Sequence, residues 1–265
     1  MEVVDYHVHS NNSFDGKNSI EEMCRKAIEK NLSEICFTEH FSVDPRDVSY
    51  RVLDYEKYFS EIIKVREKFS DRIRIKCGME IGEPHLKEYQ EDLRKRIENM
   101  NLDFVIGSVH NIDGIKLRLY MQNKNKYDIY YDYFSEIYKM VKESDIDIVG
   151  HMDLMKRYAY EIHGNYSFDD YEEIIEKILK EVISRGIGLE INGSGYLNKV
   201  GEPYPSKKIL NFYRNLGGEV ITVGSDSHFC ENLARHNIKM INLLKEIGFK
   251  YIFIYEKRKK IPLKI

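Results

Sequence analysis

The chain has 265 residues, 42% of them hydrophobic and 32% charged, a balance typical of a folded globular protein rather than a disordered one. Its 41 Lys and Arg against 44 Asp and Glu give a formal charge of -3, which excludes a global basic field for nucleic acid or anionic membranes. The cysteines, Cys24, Cys36, Cys77 and Cys230, show no CxxC pair, which argues against a disulfide framework and a thiolate zinc site. The N-terminus has no signal-peptide pattern, so we expect a cytoplasmic protein.

Short β-rich runs alternate with longer segments of helical period along the chain. The pattern predicts seven strands, at 2–8, 34–39, 73–81, 103–109, 146–151, 187–192 and 219–225. Helices are predicted at 19–30, 55–69, 86–99, 127–144, 169–184, 206–216 and 231–246, and the run 249–257 is a candidate for one more strand. This alternation is typical of βαβ units with a mainly parallel sheet. Because no linker divides the chain, we predict a single domain over residues 1–265.

The last residues of the seven predicted strands share one chemistry. In chain order they are HVH (7–9), TEH (38–40), GME (78–80), SVH (108–110), GH (150–151), EIN (190–192) and GSDSH (224–228). Six of the nine histidines fall at these ends, together with Glu80 and Asp226. All strands of a parallel barrel end on one face, so these side chains would converge. A lone histidine there is more often structural, but that explanation would have to hold six times, always at the same end.

This set of side chains predicts a site for two or three divalent metal ions. Imidazole and carboxylate together suit zinc, manganese or iron, and the lack of thiolate ligands argues against a closed structural zinc site. The eight or nine candidate ligands exceed what one ion needs. Two ions that share a carboxylate can activate one water and neutralise charge on a phosphoryl or carbonyl centre. His7 and His9 would bind one ion, with Asp5 helping to orient the site.

The same motifs carry a family resemblance. DYHVH, TEH, GME, SVH, GH and GSDSH, in this order over residues 5–228, resemble those of the polymerase and histidinol phosphatase (PHP) superfamily of metal-dependent phosphoesterases. GEPHLKE (82–88), GHMDLMKRY (150–158), and LEINGSGY followed by GEPYPS (189–206) resemble its histidinol-phosphate phosphatase branch, which acts in histidine biosynthesis. The resemblance implies an α/β fold, a distorted seven-stranded (β/α) barrel similar to a TIM barrel.

The resemblance also implies ligands for three metal ions. It assigns one ion to His7, His9, Glu80 and Asp226, a second to Glu80 as a bridge with His110 and His151, and a third to His40 and His228. Related members carry another ligand, often His, six residues after the second His of the first motif. This chain has Asp15 there. A carboxylate also binds manganese, iron or zinc, so we expect a third metal site in which a carboxylate replaces the usual ligand.

The implied reaction is phosphomonoester hydrolysis, with L-histidinol phosphate as the expected substrate and a hydroxide held between metal ions as the nucleophile. Arg157, predicted in the loop after His151, is our candidate for gripping two phosphate oxygens, with a surface salt bridge as the alternative. Either Asp226 or His228 would pass a proton to the leaving alkoxide. Further candidates for substrate contact are Lys156, Lys199, His85 and Asn192, with Asp113 and Glu83 for the substrate amine.

Other functions remain open at the level of sequence. A phosphoesterase of the same fold could act on nucleotides or nucleic-acid ends, but the near-neutral charge favours a small phosphate ester over nucleic acid. A degenerate metal-binding module would show gaps among the ligands, and Asp15 is the one variation. An amidase barrel usually centres on a lysine at a strand end, which no predicted strand provides. We expect neither a nucleic-acid nor a membrane partner.

Overall fold

Seven parallel strands form the central sheet of the computed structural model, which describes residues 2–265. Their order in space follows their order in the chain: β1 (Val4–Val8), β2 (Glu34–Phe41), β3 (Arg74–Gly82), β4 (Phe104–Ser108), β7 (Ile148–Val149), β8 (Gly188–Asn192) and β9 (Ile221–Gly224). The edge strands approach each other through a bridge between Val8 and Ser227, where the His9 amide donates to the Ser227 carbonyl at 2.9 Å. The predicted seven-stranded, nearly closed barrel is confirmed.

Helices follow the strands and cover the barrel. Their bounds are α1 (Ile20–Glu29), α2 (Tyr55–Lys68), α3 (Gln90–Ile97), α4 (Leu117–Tyr120), α5 (Lys126–Glu143), α6 (Met155–His163), α7 (Glu172–Ser184), α8 (Lys207–Asn215) and α9 (Asn237–Ile247). α1 begins with a capping box, in which the Ser19 side chain accepts from the Glu22 amide and Glu22 accepts from Ser19 in return. Each helix is held mainly by its apolar face, as in α7, where Ile175, Ile178 and Val182 are fully buried.

Helix α6 is not among the helices predicted from the sequence. Leu154 stands at its N-cap and makes no side-chain capping bond, so the usual start signal is absent from the sequence. The helix is stabilised by packing instead of by a cap, because Met155, Lys156 and Ala159 are buried on one face. Two predicted helices are also shorter than expected. The predicted helix 86–99 consists of a 3₁₀ turn followed by α3, and the predicted helix 231–246 consists of a 3₁₀ turn, a short connection and α9.

Two hairpins lie outside the barrel sheet. β5 (Asn111–Ile112) and β6 (Ile115–Lys116) follow β4 near the C-terminal end of the barrel. β10 (Tyr251–Glu256) lies within the predicted extra strand 249–257, but it pairs only with β11 (Lys259–Lys264) within the described chain. No helix in residues 2–265 is long and apolar enough to cross a membrane.

The C-terminal hairpin covers the N-terminal end of the barrel. The Tyr255 amide donates to the Tyr6 hydroxyl at 2.8 Å, and the Tyr255 ring packs 4.7 Å from that of Phe104. Arg258 donates to Asp147, just before β7, at 2.6 Å. Because this hairpin covers one end of the barrel, the strand ends that carry the predicted ligands lie at the opposite end.

Candidate metal centre

The nine predicted ligands converge at the C-terminal end of the barrel. Each lies among the last residues of a strand or in the segment that follows it: His7, His9 and Asp15 with β1, His40 with β2, Glu80 with β3, His110 with β4, His151 with β7, and Asp226 and His228 with β9. His7 and Asp226, 219 residues apart in sequence, thereby come within 3.6 Å of each other. This is the convergence that a parallel barrel imposes on its strand ends.

Glu80 lies at the centre of the cluster and faces two groups of histidines. Its Oε2 lies 3.3 Å from His7 Nε2 and 2.9 Å from His40 Nδ1. Its Oε1 lies 3.3 Å from His110 Nε2 and 2.9 Å from His151 Nε2. A carboxylate with one oxygen on each group has the arrangement needed to bridge two metal ions.

The first group fits a divalent cation. His7 Nε2 and His9 Nε2 each lie within 3.6 Å of both Glu80 Oε2 and Asp226 Oδ1. Both nitrogens are fully buried and have no hydrogen-bond partner. Buried polar atoms are almost always satisfied, and a cation among these four side chains would satisfy both nitrogens at once. The donor set of two imidazoles and two carboxylates is that of a zinc, manganese or iron site.

A third group contains the residue that departs from the related sequences. Asp15 Oδ2 lies 3.2 Å from His228 Nε2, and Asp15 Oδ1 lies 3.6 Å from His40 Nε2. The two histidine nitrogens are 3.4 Å apart. The carboxylate therefore occupies a position where it can act as a ligand. His40 also reaches Glu80 with its other ring nitrogen, so it joins the third group to the first.

Buried acids orient the histidines of the centre. His7 Nδ1 lies 2.7 Å from Glu190 Oε1, and the other oxygen of Glu190 accepts from the His151 amide at 2.9 Å. His9 Nδ1 lies 3.2 Å from the Ser13 hydroxyl, which itself donates to Glu39. With each Nδ1 engaged in this way, the lone pair on Nε2 faces the centre.

Glu190 and Glu39 were both missed by the sequence analysis. Glu190 precedes the predicted substrate contact Asn192 by two residues, and the strand period places both on one face. That spacing was the available signal for Glu190. Glu39 gave no such signal, because its role depends on the turn that brings Ser10 and Ser13 back onto it.

The backbone at the end of β9 packs tightly against the residues of the centre. A side chain at Gly224 would place its Cβ 2.1 Å from a Glu190 oxygen and 2.5 Å from His7 Cβ, so only glycine fits. Asp226 has a positive φ of 54°, which is strained for a residue with a side chain. Asp5 holds this segment by accepting hydrogen bonds from the amides of Ser225, at 2.8 Å, and Ala234. Asp5 thus orients the site, as its position in the first motif predicted.

The pKa shifts of Glu80 and His9 favour the protonation states that bind a metal ion. Burial alone raises the pKa of Glu80, but His7, His110 and His40 around it hold that pKa well below its usual value. Burial lowers the pKa of His9 well below its usual value, and nearby His40 lowers it further. At neutral pH, Glu80 is therefore a carboxylate and His9 a neutral imidazole, the forms that bind a cation.

A cavity of about 660 Å³ opens above the centre and has a cationic rim. Its cationic side chains are Lys17, Lys116, Arg118 and Arg157. Arg157 lies in the first turn of α6 rather than in a loop as predicted, and no carboxylate of residues 2–265 lies within ion-pair distance of it. Its guanidinium is therefore not held in the surface salt bridge that was the alternative. Arg118, at the start of α4, was not identified from the sequence.

Two predicted lysine contacts have other partners in the structure. Lys156 is fully buried, with its ammonium 2.9 Å from Asp153 and 3.0 Å from Glu202, because it lies on the packed face of α6. Lys199 is exposed and paired with Glu161. Neither is among the described residues that line the cavity.

The other two predicted contacts are also held elsewhere. His85 is buried, with Nε2 2.8 Å from Glu136, and it lines a separate cavity of about 360 Å³ together with Glu83 and Asp113. Asn192 is fully buried and accepts from the Ser194 hydroxyl at 2.6 Å. Neither His85 nor Asn192 is among the described residues that line the main cavity.

Replacing Glu190 tests its role in orienting His7. In Glu190→Gln the buried charge that holds His7 Nδ1 is lost at nearly constant volume, so we expect metal affinity to fall on the order of tenfold. Metal titration followed by activity should show this shift, with excess metal restoring most of the rate. Glu173→Gln, an exposed change on α7, is the control. A titration of Glu190→Gln that matches wild type would contradict the assignment.

Comparisons with known proteins agree with this geometry. The PHP domain family model matches residues 5–194. The chain is 32% identical over 260 residues to the histidinol-phosphatase of Lactococcus lactis, covering 94% of this chain and 93% of that protein. It is 30% identical to a probable histidinol-phosphatase of Clostridium acetobutylicum, covering 97% and 98% of the two chains.

A solved structure matches the whole fold. The crystal structure of the Lactococcus lactis histidinol phosphate phosphatase, complexed with zinc, L-histidinol and phosphate, superposes with a TM-score of 0.90 at 29% identity. The match covers 98% of this chain and 99% of that one. The barrel therefore has a direct counterpart of known structure, and that relative holds zinc. The chain belongs to the PHP domain family, in its histidinol-phosphatase branch.

Proposed function

We propose that the protein hydrolyses L-histidinol phosphate to L-histidinol and inorganic phosphate, with divalent metal ions held by the cluster around Glu80. The observation that carries this proposal is the set of nine candidate ligands at one end of the barrel, beside a cavity lined by four cationic side chains. The Lactococcus lactis relative, which superposes over nearly the whole chain, binds zinc, L-histidinol and phosphate.

We further propose that the centre holds three ions, with zinc, manganese or iron as candidates and zinc favoured by the relative. His7, His9, Glu80 and Asp226 would hold the first, and Glu80 would bridge to a second held by His110 and His151. Asp15, His40 and His228 would hold the third. Contacts between donor atoms support this division. Imidazole-to-carboxylate distances are 3.3 to 3.6 Å in the first group and 2.9 to 3.3 Å in the second, and the donor atoms of the third lie 3.2 to 3.6 Å apart.

In this proposal each group of the chain has a defined task. Bound divalent ions would supply an activated water and Lewis-acid stabilisation of the phosphoryl oxygens. Arg157 binds phosphate oxygens from the wall of the cavity, where a guanidinium can donate two hydrogen bonds at once. Lys17, Lys116 and Arg118 add positive potential at the mouth and attract the dianionic ester.

The leaving alkoxide requires a proton, for which Asp226 and His228 are the candidates. Asp226 lines the cavity and faces the histidines of the first group. His228 Nδ1 lies 3.1 Å from the main-chain oxygen of Asp226, and donation to that oxygen leaves its Nε2 as a lone pair facing Asp15. This tautomer favours His228 as a ligand and Asp226 as the group that passes the proton. Although burial raises the pKa of Asp226, the facing His7 and His9 hold it well below its usual value, so Asp226 would first take that proton from the attacking water.

The decisive experiment is phosphate release from L-histidinol phosphate, measured beside nucleotides and sugar phosphates on enzyme of known metal content. We expect the kcat/KM for histidinol phosphate to exceed that of every other ester. Faster hydrolysis of another ester by a fully metallated sample would refute the histidine-pathway assignment and favour the broader phosphoesterase reading. No hydrolysis of any ester would favour the non-catalytic metal-binding module.

The role of Asp15 can be tested separately from that of the other ligands. Asp15→Asn removes the charge that faces His40 and His228, so we expect the metal content to fall by about one ion per chain while the remaining ions stay bound. Elemental analysis of the purified protein measures this directly. Lys17→Gln, a neighbouring change at the cavity mouth, should leave the metal content at the wild-type value. Unchanged metal in Asp15→Asn would place Asp15 outside the ligand set.

A further inference from the structure

The expected substrate carries a positive charge that the metal centre does not accommodate. L-Histidinol phosphate is a phosphorylated amino alcohol with a primary ammonium group close to its ester. The rim of the cavity is cationic, so an ammonium entering with the phosphate requires an anion on the wall. Selectivity over amine-free esters depends on that anion.

One carboxylate of the cavity wall has no role in the proposed metal site. The acidic side chains lining the cavity are Asp15, Asp47, Glu80 and Asp226. Three of them face histidines of the centre at 2.9 to 3.6 Å. Asp47 alone, among the acidic residues described in this lining, is outside that set.

Asp47 is held rigidly beside the metal centre. It lies half-buried in the segment between β2 and α2, where its Oδ1 accepts from the Ser49 amide at 2.7 Å. Its Oδ2 accepts from the Asn111 side chain at 2.6 Å, and Asn111 directly follows the ligand His110. The carboxylate is therefore fixed next to the group that Glu80 forms with His110, within the same cavity as Arg157.

The charge of Asp47 is not balanced by a basic side chain. Asp44, in the same segment, is neutralised by Arg46 through hydrogen bonds of 2.8 to 3.0 Å. No lysine or arginine of the described chain lies within ion-pair distance of Asp47. Burial alone would raise the pKa of Asp47, but hydrogen bonds from Ser49 and Asn111 hold that pKa below its usual value. Asp47 is therefore an anion at neutral pH.

We propose that Asp47 binds the primary ammonium of the substrate and so selects phosphorylated amino alcohols over esters without an amine. This inference rests on the proposed function and adds a specificity residue to it. Asp113 and Glu83, considered for this role from the sequence, line the separate smaller cavity instead. Asp47 Oδ1 already accepts from both the amide and the hydroxyl of Ser49, whereas Oδ2 accepts only from Asn111 and so retains acceptor capacity for an ammonium, as a carboxylate has about four lone-pair sites.

The test compares two esters in wild type and in Asp47→Asn. The substrates are L-histidinol phosphate and its deamino analogue, the phosphate ester of 3-(imidazol-4-yl)propan-1-ol. We expect Asp47→Asn to raise KM for histidinol phosphate by roughly tenfold to a hundredfold, with a smaller effect on kcat. The deamino ester should be hydrolysed by both proteins with kcat/KM values within about twofold of each other. Metal content should be equal in the two proteins.

The matched control is Asp113→Asn, which removes a carboxylate from the separate cavity and should leave both substrates unaffected. Equal losses on both esters in Asp47→Asn would show a purely structural role and overturn the inference. A loss specific to histidinol phosphate in Asp113→Asn, with none in Asp47→Asn, would also overturn it. If wild type prefers another ester, the proposed function fails in the wild-type measurement itself, and the inference about Asp47 falls with it.

Discussion

Replacement of Glu80 by alanine is expected to abolish bound metal and phosphatase activity together. Both oxygens of this fully buried carboxylate face histidines, so its loss removes a ligand from two proposed ions at once. It also removes the negative charge that both His7 and His151 contact, and their ring centroids are only 5.7 Å apart. We expect a fall in kcat/KM of about a thousandfold or more, corresponding to the several kcal/mol that metal ions contribute in such sites.

Elemental analysis and steady-state kinetics on the same preparation measure both effects. Glu80→Gln keeps the volume of the side chain and should also lose metal, which separates the effect of charge from that of a cavity. Glu98→Ala, an exposed change at the end of α3, is the surface control and should leave metal and activity unchanged. Normal metal content with full activity in Glu80→Ala would refute the central position of this carboxylate.

The barrel was largely predictable because short β-rich runs alternate with segments of helical period along the chain. β2 and β8 begin and end within two residues of their predicted bounds, and every residue of the two strands except His40 is buried. β7 was predicted as six residues but pairs over only Ile148–Val149. The amides of Asp147 and Gly150 on either side still donate to carbonyls of β4, and the chain turns at His151, which has a positive φ of 21°. The C-terminal hairpin could not be located from sequence, since its position depends on long-range contacts such as that between Tyr255 and Tyr6.

The proposed metal ligands were easier to predict than the proposed substrate contacts for a physical reason. Ligands such as His7 and Glu80 stand at strand ends, and the parallel topology dictates where all such ends lie. Substrate-facing groups depend instead on loops and on the faces of short helices. Lys156 and Arg157 are adjacent in sequence, yet one is buried against Asp153 and the other lines the cavity, because α6 directs consecutive residues about 100° apart.

Arg157→Ala is expected to lower kcat/KM for the phosphate ester by about a hundredfold while metal content stays at the wild-type value. A guanidinium that donates two charge-assisted hydrogen bonds to a phosphoryl group contributes about 3 kcal/mol, which corresponds to that factor. Arg157 lines the cavity without an ion-pair partner in residues 2–265, so no internal salt bridge has to break before it binds phosphate. The Ki for inorganic phosphate as a product inhibitor should rise in the same variant.

Two further variants separate phosphate binding from general electrostatics. Arg157→Lys keeps the charge but not the planar pair of donors, so it should recover only part of the lost rate. Lys199→Ala removes an exposed cation that is paired with Glu161 and does not line the cavity, and its rate should stay within about twofold of wild type. If Lys199→Ala lost more activity than Arg157→Ala, the phosphate would have to bind nearer the segment after β8. Equal small losses in both would mean that the metal centre alone binds the phosphoryl group.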